Sequence, residues 1–518
     1  SIPVNETINV SPKGVVSCMF WGLGSDGTVG ANKNSIKIIG DNTDLNAQAY
    51  FSYDSKKSGG ITVSHLRFGK SSLDMPWLID HADFVACHNP AYIGRYDMLG
   101  PLKKGGVFLL NSQIPSEEVF EHLTREMQEQ IIEKKIRFYN INALEISEKA
   151  GLGSRINTVM QAAFFKISEV LPEAEAIDLV KQYVKKTFIK KGKDIVKQNW
   201  AAIDGASDAL HQVVIPAKIT KSYEPARLIP ADADDFAKNI MEPIMHLKGN
   251  DIPVSQMSFD GSLPTATAKF EKRGVAPFVP HWIAENCIQC NQCVQSCPHA
   301  AIRAKQIDPK DLEGAPETFK TLKSNTKNTR DLQFKIQVYT EDCQGCGVCI
   351  ETCPSKVKSL EFSPIATERE AGEIVNAEFF EALPYDVLDG APETSIKGLQ
   401  FKQPLFEFSG ACAGCGETPY VKMVSQICGD RMIVANATGC SSIYSGTFPT
   451  TPYTVRQSDG QGPAWGNSLF EDNAEYGLGM RLAVDSNREQ LRIYIDQLFA
   501  LGTTEALKSA IEKSLELW

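Results

Sequence analysis

The sequence predicts a multidomain α/β protein with an irregular linker and a small cysteine-rich domain. Short apolar runs alternate with helical patterns in its first part, and two cysteine runs of identical spacing follow. At 518 residues the chain exceeds the roughly 250 to 300 residues at which a single core stops growing. We therefore expect four segments, residues 1–216, 217–277, 278–381 and 382–518.

The composition of the chain disfavours a nucleic-acid-binding, membrane-spanning or secreted protein. The chain is 42% apolar and 22% charged with a net charge of −10, which is typical of a soluble globular protein and disfavours nucleic acid as a partner. No stretch reaches the roughly 18 apolar residues of a membrane span, and SIPVNETINVSPKG lacks the features of a secretory signal. Clustered cysteines indicate a reducing compartment. We expect the cytoplasm, with a hydrogenosome-like organelle as the alternative.

Regular elements are predicted from local periodicity. Six strand-like runs in residues 1–216 indicate an α/β domain: GVVSCMFWGLG, AYFSYD, ITVSHLRFG, FVACHN, GGVFLLN and IRFYNINA. A helix is predicted over residues 116–132. Residues 217–277 are proline-punctuated, with one helix predicted over 234–246, and indicate a linker wrapped over its neighbours. The chain finishes in a helical pattern over 488–518.

The cysteine runs have the form C-x-x-C-x-x-C-x-x-x-C-P. This spacing is typical of paired [4Fe-4S] clusters, in which the fourth cysteine of each run ligates the other cluster. Structural zinc is the alternative, but paired C-x-x-C halves do not need the third cysteine and the Cys-Pro. We assign one cube to Cys287, Cys290, Cys293 and Cys353, and the other to Cys343, Cys346, Cys349 and Cys297.

A long insertion separates Cys297 from Cys343. Between Arg303 and Lys335 it carries eight Lys or Arg against five Asp or Glu, in an otherwise acidic chain. It is interpreted either as a solvated loop or as a docking surface for an acidic electron acceptor.

A third cysteine group lies in ACAGCGETPY and NATGCSSIYSG. Cys412, Cys415 and Cys440 are one thiolate short of a cube. The fourth ligand could come from Cys428, from another chain or from sequence beyond this chain, and we favour the last.

The first segment contains GLGSDGTVGANK after a strand. Gly22, Gly24 and Gly27 would let the backbone approach a phosphate at a helix N-terminus. By itself this pattern indicates a dinucleotide site, with Asp41 or Asp44 placed for a ribose contact.

Taken together, CAGCGETPY, ATGCSSIYSGTFPTTPYT, GLGSDGTVGANKNSIKIIG and the eight-cysteine domain resemble the pyruvate:ferredoxin (flavodoxin) oxidoreductases. The resemblance implies, in the order of the four segments, an α/β coenzyme A (CoA) domain, a linker domain, a bacterial-ferredoxin-like 2×[4Fe-4S] domain with an insertion, and the N-terminal part of an α/β thiamine-diphosphate domain. It also implies CoA-dependent oxidative decarboxylation of pyruvate to acetyl-CoA, with electrons passing through three [4Fe-4S] clusters to ferredoxin or flavodoxin. Thiamine diphosphate with Mg²⁺ and a homodimer belong to that expectation. Family members are more than twice this length, so we expect the chain alone to be an incomplete enzyme.

The resemblance assigns roles to particular residues. Glu417 would be catalytic and would lie against thiamine diphosphate together with Gly439 and Cys440. Coenzyme A would contact the glycine-rich loop, and its ADP and phosphate groups would contact a basic set; these residues are Gly24, Asp26, Gly27, Thr28, Lys56, Lys57, Arg155 and Asn157. Structural alternatives are a helix-start role for Glu417 and simple solvation for the lysines.

Two other functions remain open. The chain could be an electron-transfer subunit without 2-oxoacid chemistry, or part of a sister oxidoreductase acting on another 2-oxoacid. Binding of coenzyme A to the first segment distinguishes the enzyme from the electron-transfer subunit.

Overall fold

The structure is a computed structural model that describes residues 8–24, 26–56, 59–224, 228–231, 233–326, 329, 331–385 and 394–515. Within these ranges no helix has both the length and the apolar character needed to cross a membrane. The described chain forms a large α/β unit, a cysteine-rich unit with two small sheets, and a final unit built on a two-stranded sheet.

The α/β unit contains one sheet in the order β2-β3-β1-β4-β5-β6-β7. Its strands are β1 Val16–Leu23, β2 Asn46–Tyr53, β3 Ile61–Gly69, β4 Ala82–Cys87, β5 Leu102–Asn111, β6 Arg137–Ile141 and β7 His211–Gln212. β1, β4, β5 and β6 are parallel, whereas β2, β3 and β7 pair antiparallel to their neighbours. All six strand-like runs of the sequence form strands here, because apolar β-runs suit a sheet covered on both faces.

Helices pack against this sheet and create two cores. They are α1 Thr28–Asn42, α2 Arg125–Glu133, α3 Ala143–Lys149, α4 Asn157–Ser168, α5 Glu173–Phe188 and α6 Lys193–Asp208. Alternate residues of β1 enter different cores, with Cys18 and Phe20 in one and Met19 and Trp21 in the other. This two-residue alternation follows from the pleat of a strand.

The helix predicted over residues 116–132 is wrong in its first half. The chain forms a 3₁₀ turn over Val119–His122 and is extended at Leu123, and α2 begins only at Arg125. The Thr124 hydroxyl accepts a hydrogen bond from the Met127 amide at 3.3 Å and caps the new helix. Helical periodicity does not reveal such a side-chain cap.

Residues 217–277 contain little regular structure and contact the units on both sides. A π-helical turn over Ala237–Met241 leads into α7 Glu242–Met245, close to the helix predicted over 234–246. The Tyr223 amide donates to the Leu123 carbonyl at 2.9 Å in the α/β unit. The Ala266 amide donates to the Tyr453 carbonyl at 2.7 Å in the final unit.

The cysteine-rich unit contains two antiparallel sheets, β8 with β12 and β10-β11-β9. Its strands are β8 Phe278–Trp282, β9 Ile302–Ile307, β10 Leu322–Lys323, β11 Gln333–Val338 and β12 Leu360–Pro364. Its helices are α8 Gln292–Ser296, α9 Val348–Glu351, α10 Ile365–Glu370 and α11 Glu373–Ala382. The three-stranded sheet is built from the insertion between the two cysteine runs.

Part of the insertion is neither solvated nor available for docking, because three of its cations are buried, whereas Lys310 and Lys323 are exposed. Arg303, Lys305 and Lys335 are at most 2% exposed. The Lys305 ammonium donates to the Phe380 carbonyl at 2.6 Å and lies 3.8 Å from the centre of the Tyr385 ring. Burial lowers the pKa of Lys305 to about 7.

Lys305 is expected to make stability depend on pH. Its folded pKa lies below the value near 10.4 of an unfolded lysine, so between about pH 7 and pH 10 the unfolded chain binds more protons and stability rises with pH. The slope reaches about 1.4 kcal/mol per pH unit. We expect the difference in melting temperature between the wild type and Lys305→Met to shift in favour of the wild type from pH 7 to pH 9. Lys310→Met, which removes an exposed lysine, should show no such trend; a trend equal in both variants would contradict the prediction.

The final unit contains a parallel pair, β13 Ile433–Ala437 and β14 Ala464–Ser468, with helices α12 Ile396–Leu399, α13 Thr418–Cys428, α14 Cys440–Ser445, α15 Asn473–Ala500 and α16 Glu505–Leu515. The helical pattern predicted over 488–518 belongs to two helices that break at Gly502, whose φ is +87°. Residues 516–518 lie outside the described residues. No described residue of α15 is buried.

Candidate iron-sulfur and cofactor sites

The two cysteine runs bend in the same way, because matched positions adopt the left-handed backbone conformation. Gln289 and Asn291 have φ of 58° and 60°, and the corresponding Gly345 and Gly347 have φ of 64° and 76°. Glycine reaches this conformation without strain. Gln289 and Asn291 instead donate side-chain hydrogen bonds to backbone carbonyls of neighbouring segments, at 2.8 and 3.1 Å. The tight wrap is therefore maintained by sequence in one run and by tertiary contacts in the other.

The first group of thiols includes one from the second run. Burial raises the pKa of Cys293, and the thiols of Cys287, Cys290 and Cys353 raise it further. The Cys287 pKa is likewise raised by burial, with Cys290 and Cys353 contributing. Cys353 of the second run therefore acts electrostatically on Cys287 and Cys293, as the crossed assignment predicts.

The second group has the reverse composition. Cys297 lines one cavity together with Cys343, Cys346 and Cys349. Burial is the main cause that raises the pKa of Cys343 to about 12, and Cys297 and Cys346 contribute. Each cysteine run therefore contributes its fourth thiol to the neighbourhood of the other run.

The donor set fits cubes better than single ions. All fourteen cysteines are free thiols. A [4Fe-4S] cube takes one thiolate at each iron, so its ligands surround a volume, whereas zinc gathers thiolates at about 2.3 Å from one atom. The four thiols around the cavity of the second group suit a cube.

The third cysteine loop packs directly against the second group. A Cβ on Gly414, between Cys412 and Cys415, would lie 4.0 Å from the Cys346 Cβ. The Cys415 amide donates to the Cys412 carbonyl at 3.1 Å and closes a tight turn. Cys412 and Cys440 are exposed, and Cys415 is half-buried.

Cys440 approaches this loop through its own helix. It opens α14 and shares a helix face with Tyr444, one turn further on. Tyr444 belongs to the same apolar cluster as Cys415. Burial raises the Tyr444 pKa, and the Glu417 carboxylate and a hydrogen bond to it raise the pKa further. Glu417, the residue before α13, therefore lies within hydrogen-bond reach of Tyr444 on α14.

The glycine-rich loop and the start of α4 meet, although they are far apart in sequence. Gly27 has φ +89°, and a Cβ on it would lie 3.0 Å from the Asn157 amide group. The Asp26 carboxylate accepts hydrogen bonds from the Leu23 amide at 2.8 Å and the Thr28 amide at 2.7 Å. These bonds order the turn at the start of α1. The N-termini of α1 and α4 consequently lie close together, and a helix N-terminus favours a bound anion.

His88 is part of this region and was missed by sequence reasoning. It is 3% exposed, and its Nδ1 lies 2.8 Å from the Thr28 hydroxyl. Burial lowers the pKa of His88 to about 3, so the ring is neutral. It follows β4, which neighbours β1 in the sheet. Its position after a parallel strand was the available signal, because ligands of α/β sheets bind beyond the carboxyl ends of the strands.

The basic residues predicted to bind coenzyme A differ in their exposure and in their contacts. Arg155 is exposed beside Asn157 at the start of α4. Lys56 is 6% exposed, its ammonium forms an ion pair with the Glu271 carboxylate, and it packs against Gly410. This pairing disfavours a phosphate role for Lys56. Lys57 lies outside the described residues.

Three family models match the chain. A model for pyruvate ferredoxin/flavodoxin oxidoreductase matches residues 17–209, a domain of unknown function matches 223–276, and a 4Fe-4S dicluster domain matches 286–357. The pyruvate:ferredoxin oxidoreductase of Moorella thermoacetica is 52% identical over 512 residues, which cover 99% of this chain and 44% of that protein. The chain belongs to the pyruvate ferredoxin/flavodoxin oxidoreductase family.

A second relative in the family matches the chain over a similar length. The pyruvate-flavodoxin oxidoreductase of Klebsiella pneumoniae is 44% identical over 515 residues, covering 99% of this chain and 44% of that protein. Among solved structures, the pyruvate oxidoreductase subunit PORC of Thermotoga maritima has a TM-score of 0.31 and 14% identity, covering 39% of this chain and 99% of that one, which is too low to argue from. The chain spans less than half the length of the two curated relatives.

Membership of this family confirms the resemblance stated from the sequence motifs. The mixed α/β character and the 4Fe-4S dicluster domain are also confirmed. The segment boundaries, the roles of individual residues, the homodimer and the cytoplasmic location stay predictions.

Proposed function

We propose that this chain provides the CoA-binding, electron-transfer and part of the thiamine-diphosphate site of a pyruvate:ferredoxin or pyruvate:flavodoxin oxidoreductase. The overall reaction converts pyruvate and CoA to acetyl-CoA and carbon dioxide and passes the electrons to the acceptor protein. The observation that carries the proposal is the contact between the Cys412–Cys415 turn and Cys346. It joins a third cysteine group to a pair of cubane-type thiol groups, as a continuous electron path requires.

The arrangement of thiols supports an order for that path. The third group adjoins the set with Cys343, Cys346, Cys349 and Cys297 through Gly414. That set adjoins the one containing Cys293, since only the last three residues of α8 separate Cys293 from Cys297. Electrons would move from the third group to the second set and then to the first. Iron-sulfur clusters supply this one-electron chemistry when bound.

The thiamine-diphosphate site would form around the Cys415 turn and α14. Glu417, Gly439 and Cys440 are the residues of this chain proposed to contact the cofactor, which stabilises the carbanion left by decarboxylation when bound. The described contacts that support this are the Glu417–Tyr444 interaction and the packing of Tyr444 with Cys415. Both bring the carboxylate close to the third cysteine group.

The acceptor protein would approach the loop that carries Cys287 and Cys290. Ile288 between them is 52% exposed, so this loop is open to solvent. Lys323 and Lys397 flank the loop, because their carbonyls accept the hydrogen bonds of Gln289 and Asn291. An acidic ferredoxin or flavodoxin is the partner that such flanking cations favour.

Coenzyme A would bind where α1 and α4 begin, with Gly24, Asp26, Gly27, Thr28, Arg155 and Asn157 contributing. The wild-type 518-residue chain is expected to bind coenzyme A in isothermal titration calorimetry. Gly27→Ala should weaken binding at least tenfold, about 1.4 kcal/mol, because alanine is strained at φ +89° and its methyl would displace Asn157.

Gly30→Ala is the matched control for this experiment. Gly30 lies in α1, three residues after Gly27, and a Cβ there would meet no atom within 4 Å, so binding should be unchanged. Absence of binding to the wild-type chain would remove the CoA site and favour an electron-transfer subunit. Equal affinity of all three proteins would place the CoA site elsewhere.

A further inference from the structure

Lys422 is a buried lysine where the final unit contacts the first cysteine run. It lies on α13 and is 2% exposed. Its ammonium donates to the Val294 carbonyl and, at 3.1 Å, to the Gln295 carbonyl. Both carbonyls belong to α8, which contains Cys293 of one proposed cube and ends directly before Cys297 of the other.

The charge of Lys422 has no carboxylate counterpart. Among the residues that the structure describes, no Asp or Glu forms an ion pair with it. Burial lowers the pKa of Lys422 to about 8, the thiols of Cys297 and Cys293 oppose that shift, and the nearby Arg303 adds to it. The cavity beside the ammonium, lined in part by Arg303, is too small to admit a water molecule.

A buried cation is stabilised most strongly by an anion nearby. Hydrogen bonds to two carbonyls at the C-terminal end of a short helix supply only partial charge. The cysteines Cys297 and Cys293 are the groups that raise the pKa of Lys422, and each becomes a thiolate when it binds a cube. A cube bound by four thiolates is a net anion, and one added electron makes it more negative.

We propose that Lys422 stabilises the reduced state of both [4Fe-4S] cubes and thereby raises their reduction potentials. The inference rests on the proposed function, since it requires the two cubes. One ammonium acts on both because α8 contains Cys293, a ligand of one cube, and ends directly before Cys297, a ligand of the other. Its helix, α13, begins directly after Glu417, so the final unit would set the electron affinity of the neighbouring clusters through this side chain.

The test is a redox titration, followed by electron paramagnetic resonance, of the anaerobically reconstituted 518-residue chain. Lys422→Gln and Lys422→Met are expected to disfavour reduction of each cube at least tenfold, which is about 59 mV for a one-electron couple. Lys422→Arg keeps the charge and should stay near the wild type. Lys310→Gln removes the same charge from the surface, where the side chain is 75% exposed, and should cause no shift.

The iron content of the wild type and the variants distinguishes a failure of the proposed function from a failure of the role proposed for Lys422. A wild-type chain without two cubes would contradict the proposed function itself. A wild type with two cubes, and neutral variants whose potentials are unchanged, would overturn only the role of Lys422. Loss of iron from both neutral variants but not from Lys422→Arg would also overturn it, because Lys422 would then be needed for assembly instead of setting the potential.

Discussion

Cys353→Ala is expected to remove the cube bound by Cys287, Cys290 and Cys293, and to preserve the cube of its own sequence run. The physical reason is that the Cys353 thiol acts electrostatically on Cys287 and Cys293, whereas Cys297 occupies the cavity with Cys343, Cys346 and Cys349. Each cube would therefore lose its fourth ligand when the last cysteine of the other run is replaced. We expect iron content to fall by about four atoms per chain, the complement of one cube.

Two reference variants show which cube is lost in Cys353→Ala. Cys290→Ala and Cys346→Ala each remove a ligand whose cube is not in question, and they supply the spectra of chains that lack one or the other cluster. The electron paramagnetic resonance spectrum of reduced Cys353→Ala should match the spectrum of Cys290→Ala. The spectrum of reduced Cys297→Ala should match the spectrum of Cys346→Ala. Cys428→Ala, a half-buried thiol outside both groups, should retain all iron. The opposite matching would show that each run fills its own cube.

Arg303→Met is expected to destabilise the cysteine-rich unit by about 3 to 5 kcal/mol, because it leaves a buried carboxylate without its partner. The Arg303 guanidinium is 2% exposed and forms an ion pair with the buried Glu407 carboxylate. It also donates to the Tyr385 hydroxyl at 3.1 Å and lies 4.8 Å from the centre of the Tyr339 ring. Burial raises the pKa of Glu407, and Arg303 opposes that rise.

Thermal unfolding followed by circular dichroism measures this effect. The melting temperature of Arg303→Met should fall by roughly 6 °C or more, at about 2 °C per kcal/mol. Adding Glu407→Gln should recover part of the loss, since the unpaired carboxylate is then absent. Lys310→Met, which breaks an exposed pair with Asp308, should change stability by less than about 1 kcal/mol. A change of that small size in Arg303→Met would show that the buried pair is dispensable.

Residue type alone misled the interpretation of the insertion. The charges of Arg303, Lys305 and Lys335 were counted as exposed, because lysine and arginine are rarely buried, and the insertion was therefore interpreted as a solvated loop or a docking surface. Lys335 instead lies over Trp282 and Phe319, at 5.2 and 4.8 Å from the ring centres. Aromatic rings and carbonyls from other segments make burial tolerable, and a local sequence pattern contains no information about those distant partners.

The sequence by itself determined the strands of the α/β unit, the two cysteine runs and membership of the family. These features depend on spacing within one short stretch of chain, where the period of a strand or the reach of a loop decides the outcome. Only the tertiary structure decided that Lys56 pairs with Glu271, that His88 meets Thr28 and that Lys422 lies beside α8. Those partners are 215, 60 and 128 residues apart. A buried charge or polar group takes whichever partner the fold brings close, because leaving it unpaired costs more than any local preference supplies.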